Sequence, residues 1–345
     1  MYMNIIRYRH LFVSIGVAIM LVAVALLIFV KPQLGIDFTG GALTEVVYEV
    51  APEQSEVEAE MTALDWGGIS VRQTQGSEDR AGFMIRTRDL TDAERQELTD
   101  AVLALGEAGE ITRFTSIGPV IGEELADKAK WAIAGVVIVI ILYVAIAFVR
   151  VGYPVRSWVY GGITIVALIH DVLVPAALMT ILGVTIGAEI DVLFVTAILA
   201  VLGYSVNDTI VVFDRVRENL HHNRQAHVKE YKDVTGVMQK ETTYTLTKPF
   251  ADIVNLSVSQ VITRSVNTSL TTLLALGALY FLGGATTQVF ALILMAGVIA
   301  GTYSSIFLAS PLLVLYTQYV LKLPVDELPA ADAAALEESV AKTTT

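Results

Sequence analysis

Six stretches of mainly apolar residues, each about twenty residues long or longer, occur in this 345-residue chain. The hydrocarbon core of a bilayer is about 30 Å thick, and a helix needs about 20 apolar residues to span it. The composition agrees, because only 17% of the residues are charged, whereas soluble domains carry roughly 25%. The sequence therefore predicts a polytopic α-helical membrane protein with six transmembrane helices. The predicted spans are residues 11–30, 131–149, 159–182, 191–213, 265–282 and 289–315.

The first apolar stretch follows Arg7 and Arg9, an arrangement that cleaved signal peptides share. Its apolar core of about twenty residues is longer than a typical signal-peptide core, and no small-x-small cleavage site precedes Lys31-Pro32. These two features favour an uncleaved membrane anchor.

Lysine and arginine residues lie in alternate loops, and cytoplasmic loops are the ones that carry them. The loops of residues 183–190 and 283–288 contain no Lys or Arg. We therefore predict that both termini and a loop near residues 214–264 are cytoplasmic, and that residues 31–130 lie outside. The basic residues behind this orientation are Arg7, Arg9, Arg150, Arg156, eight residues from Arg215 to Arg264, and Lys322.

The outer segment, residues 31–130, is long enough for one small domain. Its pattern predicts strand, helix, strand, strand, helix and strand, which is the order of an α+β ferredoxin-like domain. Thr91 and Glu94 have the spacing of a capping box at the start of the second helix. The predicted elements are residues 42–50, 53–64, 69–74, 81–87, 91–105 and 110–117.

The outer segment carries twenty Asp and Glu residues against nine Lys and Arg residues. This charge is consistent with simple solubility of an exposed domain. A docking surface for unfolded polypeptide or for a partner subunit is the alternative interpretation.

Four segments follow from these patterns: residues 1–30 are the cytoplasmic N-terminus and first helix, and residues 31–130 are the extracytoplasmic domain. Residues 131–320 hold helices two to six, and residues 321–345 are a cytoplasmic tail, rich in Ala and Glu, that we expect to be disordered.

The residue types argue against enzyme chemistry. The chain has no cysteine and only five histidines, so neither a thiolate site nor a histidine-built metal centre is expected. No nucleophile–base pair is evident. We expect no cofactor, no metal, no nucleic-acid partner and no enzymatic activity.

Ionisable residues inside spans are costly, by about 2.5–3.5 kcal/mol at the membrane centre, and are functional candidates for that reason. Asp208 lies in the fourth span, where Tyr204 and Ser205 share its helical face and Asn207 precedes it. Arg264 lies at the cytoplasmic end of the fifth span, at a comparable depth, and Asn267 follows one turn later. A neighbouring Asp and Arg can form a proton relay, and a structural ion pair is the alternative.

Two further features lie in the third and sixth spans. Asp171 follows His170 in the third span, where either proton handling or hydrogen-bonded packing is compatible with the pair. Gly297 and Gly301 form a small-xxx-small pair, which predicts close helix packing.

Three motifs resemble a known family. The segment Gly35-Ile36-Asp37-Phe38-Thr39-Gly40-Gly41 resembles the motif that opens the outer domain of SecD and SecF proteins. Residues 203–215, GYSVNDTIVVFDR, are similar to the fourth-span motif of SecF, and residues 257–265, SVSQVITRS, are similar to the entry to its fifth span. The chain is identified as a member of the SecD/SecF family, of the SecF type, over roughly residues 1–320.

The resemblance implies a subunit of the bacterial Sec translocase that works with a SecD-like subunit beside the SecYEG channel. It implies that protons crossing the cytoplasmic membrane help unfolded exported polypeptides to complete translocation. The family's membrane domains are similar to those of the proton-driven RND superfamily, and Asp208 and Arg264 match positions assigned to proton conduction. The loop of residues 221–252 is longer than the family pattern leads us to expect.

Two other functions remain open at this point. A proton-driven efflux transporter of small molecules has similar spans, but such transporters usually carry two six-span halves with two large outer domains. A passive assembly scaffold is the other alternative, although a scaffold has little reason to keep Asp208 within a span.

Overall fold

The computed structural model describes residues 4–75, 80–147, 154–232 and 238–328. Within these ranges, six helices are long and apolar enough to cross a membrane, so the chain is a multi-pass helical membrane protein. Of the predicted tail, residues 321–328 are described and contact the bundle, where Val325 is buried and Asp326 forms a 2.7 Å ion pair with Arg9. Residues 329–345 lie outside the described residues, as does Arg150 in the loop between the second and third spans. The spanning helices are α1 (Arg9–Phe29), α5 (Pro119–Ala147), α6 (Ser157–Thr185), α7 (Val192–His222), α8 (Phe250–Leu282), and α9 (Ala285–Tyr303) with its continuation.

Several helices extend past their predicted spans. Helix α7 continues to His222 rather than ending near Phe213, and α8 begins at Phe250 rather than near Ser265. Hydropathy locates the lipid-buried part of a helix, whereas the helix itself continues as long as its charged side chains can stay exposed. Arg215, for example, is partly exposed and pairs with Glu218.

The sixth span is interrupted. After α9, residues Ser304–Ala309 form a π-helical segment, and α10 (Ser310–Tyr319) completes the span. A π segment inserts an extra residue into the helical turn and occurs frequently at functional sites. The sequence pattern predicted a continuous sixth span and gave no indication of the π segment.

The outer domain follows the predicted order of elements. A four-stranded sheet has the order β2-β3-β1-β4, and every neighbouring pair is antiparallel. Both helices contribute to a core with the sheet, so they cover one of its faces. The elements are β1 (Gly41–Val47), α3 (Gln54–Ala63), β2 (Ser70–Gln75), β3 (Ala81–Thr87), α4 (Asp92–Ala104) and β4 (Glu110–Ile117).

Local signals set the ends of these elements. The predicted capping box of Thr91 and Glu94 is confirmed, with both reciprocal hydrogen bonds formed. A second capping box, of Glu53 and Glu56, starts α3. Burial of the Tyr48 ring is accompanied by a 2.7 Å hydrogen bond from its hydroxyl to the Val102 carbonyl.

A short helix, α2 (Ile36–Thr39), precedes the sheet and occupies the Gly35–Gly41 motif. Gly40 has φ of 71° and Gly41 has φ of 122°, a region that L-residues with a side chain rarely adopt. The two glycines therefore let the chain turn from α2 directly into β1.

After the C-terminal end of α7, residues within the predicted loop of 214–264 form a β-hairpin. Strands β5 (Arg224–Lys232) and β6 (Met238–Leu246) pair antiparallel. The hairpin joins α7 to α8 on the side away from the outer domain.

Candidate functional site

Helix α7 lies at the centre of the helical bundle and contacts α5, α6, α8 and α9. It carries Tyr204, Ser205, Asn207 and Asp208 within little more than one turn. Ser205 and Asp208 are buried, whereas Asn207 is exposed on the opposite side of the helix. The inward face of α7 is therefore where the predicted polar residues meet the other spans.

Both oxygens of the buried Asp171 carboxylate have polar partners on the helices around it. Its Oδ1 lies 2.8 Å from Nδ1 of His170, and its Oδ2 accepts a 2.6 Å hydrogen bond from Ser304 Oγ. Ser205 Oγ donates a second hydrogen bond to Oδ2. Asp171, Ser304, His170 and Ser205 are between 0% and 1% exposed, so this carboxylate is shielded from solvent and lipid alike. We call these four residues the Asp171 cluster.

The imidazole of His170 contributes a second titratable group to the Asp171 cluster. Its ring stacks on Tyr303, with ring centroids 5.7 Å apart. Its other nitrogen, Nε2, is buried without a hydrogen-bond partner among the described residues. This imidazole and the Asp171 carboxylate together form a pair that can hold or pass a proton.

Asp208 differs from Asp171 in its surroundings. It is 5% exposed, and its Oδ2 makes no hydrogen bond of good geometry to any described residue. The hydroxyl of buried Ser265 of α8 likewise makes no hydrogen bond to a described residue. A buried carboxylate with free acceptor capacity is expensive as an anion, so it is suited to taking up a proton.

The structure places Arg264 at the exposed surface of α8. No ion pair joins it to Asp208 in the described part of the chain, in contrast to the meeting that the sequence suggested. Asn267 is exposed on α8 as well, and Asn207 is exposed on α7. All three residues are exposed although they lie in helices that have the length and composition of membrane spans.

A line of hydroxyl groups connects three helices beside these carboxylates. Tyr204 donates a 3.2 Å hydrogen bond to Ser269 of α8, and the Ser269 and Thr302 hydroxyls lie 2.5 Å apart. Sequence reasoning missed Ser269, Thr302 and Ser304, since isolated hydroxyl residues in spans are common and carry no spacing signal.

The predicted glycine pair lies against α7. A Cβ atom added at Gly297 would overlap the Val201 side chain, and one added at Gly301 would come within 3.2 Å of Ser205 Cβ. The absence of side chains here lets α9 approach α7 closely, which brings the start of the π segment to the Asp171 cluster.

The motif residues that open the outer domain contact the N-terminal end of α7 and the residues just before it. Asp37 Oδ2 accepts a 2.9 Å hydrogen bond from the Val192 amide at the start of α7. Gly35 donates a 2.8 Å hydrogen bond from its amide to the Ile190 carbonyl. Phe38, Gly40 and Gly41 lie in α2 and its turn into β1.

Comparison with known proteins gives consistent matches. The sequence profile described as "Protein export membrane protein SecD/SecF, C-terminal" matches residues 97–245 and 234–319. The protein translocase subunit SecF of Thermobaculum terrenum is 37% identical over 320 residues, which cover 90% of this chain and 93% of that protein. SecF of Sebaldella termitidis is 37% identical over 289 residues, covering 83% of each chain.

The chain is also similar to a longer solved protein. The crystal structure of SecDF from Thermus thermophilus, described as a translocon-associated membrane protein, superposes with a TM-score of 0.74 at 29% identity. That match covers 92% of this chain and 39% of the SecDF chain. This chain therefore spans about two fifths of the length of SecDF.

Proposed function

Because this chain belongs to the SecF family of protein translocase subunits, we propose that it is an accessory subunit of the bacterial Sec translocase that couples proton movement to protein export. The observation that carries the coupling is the pair of carboxylates, Asp171 and Asp208, buried among membrane helices. Ionisable residues at such positions cost several kcal/mol and mark proton or ion pathways. The proposed role is that of a translocation subunit rather than an enzyme.

Asp208 is the proposed proton-binding residue. Its carboxylate has unused acceptor capacity, so protonation would relieve the cost of a buried anion. A cation near a carboxylate favours its ionised form, and Arg264 of α8 is the proposed source of that charge. A change in the distance between α7 and α8 would alter this balance, so helix position and proton occupancy would be linked. Asp171 of α6 also contacts α7, because Ser205 of α7 donates a hydrogen bond to its carboxylate.

A SecD-like subunit is the proposed partner. Exposed Arg264, Asn207 and Asn267 would face lipid if the chain worked alone, at a high cost in free energy. A second six-helix unit would cover these polar side chains and enclose the proposed proton relay of Asp208 and Arg264 between the two units. The fused SecDF relative, of which this chain matches about two fifths, supports this pairing.

We further propose the cytoplasmic membrane as the location, with both termini and the β5–β6 hairpin in the cytoplasm. Residues 31–130 would form a ferredoxin-like domain outside, supported by its strand order and antiparallel pairing. The SecYEG channel and the unfolded exported polypeptide are the proposed partners on that side. Residues 1–30 are proposed as the cytoplasmic N-terminus and first helix, residues 131–320 as helices two to six, and residues 321–345 as a cytoplasmic tail.

The test is the rate of export with and without a proton gradient, in the parent and in Asp208→Asn. Asparagine keeps the shape of the side chain but cannot ionise, so the gradient-dependent part of export should be lost while insertion and partner binding persist. Asp214→Asn is the matched control, since Asp214 is exposed on the same helix. If Asp208→Asn responds to the gradient as fully as Asp214→Asn, the proton relay is wrong.

A further inference from the structure

The outer domain contacts the helical bundle where β4 leads into α5 and α2 packs on that helix, and also through two short segments. One is residues 33–37, which lead into α2, and the other is residues 187–192, which connect α6 to α7. We propose that these two segments form a joint that transmits movement of α7 to the outer domain, with Asp37 as its positioning residue. The inference rests on the proposed function, since it assigns the route by which proton binding at α7 would reach the export side.

The first step is the hydrogen bond to Val192. The first amides of a helix have no partner within the helix, and the Val192 amide is satisfied by Asp37 across 2.9 Å. A carboxylate at a helix N-terminus makes a charge-assisted hydrogen bond and is favoured by the helix dipole. Asp37 therefore holds the end of α7 although it belongs to the segment that opens the outer domain.

The second step is the backbone pairing beside that contact. The Gly35 amide donates to the Ile190 carbonyl, and the Ile190 amide donates to the Gln33 carbonyl, each across 2.8 Å. A Cβ atom at residue 35 would lie 3.1 Å from the Ile190 oxygen, so glycine allows this close approach. The two segments thus behave like adjacent strands and resist sliding past each other.

The third step is the connection from the joint to the sheet. Arg86 of β3 donates to Glu189 across 3.2 Å and to the Leu34 carbonyl across 3.0 Å, so one side chain is hydrogen-bonded to residues beside or within both segments. Arg72 of β2 donates to the Gly187 carbonyl across 2.9 Å. Asp37 itself lies in α2, which Gly40 joins directly to β1. A displacement of α7 therefore meets the sheet without an intervening flexible linker.

The fourth step is the distance along α7. Val192 and Asp208 lie in one uninterrupted helix, and sixteen residues correspond to about 24 Å of helix axis. A helix of this kind moves as a unit, so a shift near Asp208 appears at Val192. The contacts of Asp37 would carry that shift into the outer domain.

The experiment measures the distance between two spin labels on the chain reconstituted in vesicles with the partner subunit from its own host. The native chain has no cysteine, so Glu97→Cys on α4 and Thr185→Cys on α6, both exposed positions, give a single labelled pair. In the parent, a proton gradient should shift the distance distribution between the labels. In Asp37→Ala the shift should fall several-fold, and Asp37→Asn should retain most of it because its amide oxygen still accepts a hydrogen bond.

Asp127→Ala is the matched control, because the Asp127 carboxylate also accepts a hydrogen bond, but from Lys130 of its own helix α5 and outside the joint. It should leave the label shift in place. Arg86→Gln is a second change at the joint and should also reduce the shift. Its control is Arg88→Gln, since Arg88 pairs with Glu94 inside the outer domain.

A label shift in Asp37→Ala or Arg86→Gln equal to that of its control overturns the joint. If Asp37→Ala is not recovered as folded protein, Arg86→Gln against Arg88→Gln decides. If Asp208→Asn abolishes the gradient response while both joint variants keep it, the joint fails and the proposed function stands. If the parent shows no shift in a gradient, both fail together.

Discussion

Ser304 donates a 2.6 Å hydrogen bond to Asp171, although the two residues are 133 positions apart in the chain. Ser304 is the first residue of the π segment in the sixth span, and Asp171 lies in the middle of the third. The geometry of the π segment is therefore tied to the buried carboxylate. Any change in the charge of Asp171 would act directly on the interrupted helix.

Removing this hydroxyl should destabilise the bundle. Ser304→Ala leaves the buried Asp171 carboxylate with one donor fewer, and a lost hydrogen bond to a charged group costs about 1.5–3 kcal/mol. Ser305→Ala is the neighbouring control, because the Ser305 hydroxyl donates to the Thr302 carbonyl and to no carboxylate of the described residues. Unfolding of the two variants in detergent should show the larger loss for Ser304→Ala, and equal losses would contradict the charged role of this contact.

The close packing of α9 on α7 leads to a second prediction. A methyl group at Gly297 would overlap Val201, and overpacking typically costs about 1–3 kcal/mol. Gly297→Ala should therefore lower the stability of the bundle.

Gly277→Ala is the control for that variant, since a Cβ atom there meets nothing within 4 Å. Alanine is favoured over glycine in a helix by about 0.8–1.0 kcal/mol, so this change should be neutral or stabilising. Thermal unfolding of both variants provides the measurement. A Gly297→Ala protein as stable as Gly277→Ala would show that the helices separate without cost.

The acid response of the outer domain depends on Glu94. Its hydrogen bonds with Arg88 and Thr91 lower its pKa from 4.5 to about 2. A carboxylate whose pKa is lowered by folding stabilises the folded state above its unfolded pKa and loses that contribution as the pH falls. Between about pH 4.5 and 2, protection of the α4 amides should therefore decline in the parent.

In Glu94→Gln this pH-dependent decline should be smaller, because glutamine does not titrate. Hydrogen exchange of residues 92–104, followed by mass spectrometry on the full chain, is the measurement. Glu97→Gln, at an exposed position of the same helix, should follow the parent. A Glu94→Gln profile identical to that of the parent would remove Glu94 from the acid response.

The proposed orientation predicts which positions a membrane-impermeant thiol reagent reaches from outside. Glu97→Cys in the outer domain should be labelled in intact cells, and His221→Cys at the end of α7 should be labelled only after the membrane is opened. Both positions are exposed, and the native chain contributes no cysteine. The reverse labelling pattern would invert the topology.

The sequence was most informative where one local rule decides the structure. Hydropathy located the six spans, and the pattern of apolar residues with the Thr91 capping signal located the four strands and two longer helices of the outer domain to within a few residues, whereas α2 was not predicted. These signals depend on neighbours within one or two turns of the chain.

The polar contacts were less predictable because they depend on packing between distant segments. Asp171 and Asp208 stand out in the sequence as costly carboxylates, but the coordination of Asp171 by Ser304 requires the π segment and the glycine contact of α9 with α7. The exposure of Arg264 on one face of α8 was not predictable, since periodicity does not say which face a neighbouring helix covers. The β5–β6 hairpin was missed because its strands are rich in charged and polar residues.

The chain enters and leaves the outer domain at one corner, because Gly41, where β1 begins, pairs directly with Ile117, where β4 ends. From this corner the seven residues of β1 extend over about 23 Å at about 3.3 Å per residue. A tilt of roughly 10° at the corner would displace the far end of β1 by about 4 Å over that length. A rotation of the outer domain about this corner would therefore move the opposite end of its sheet by several ångström while the corner itself stays in place.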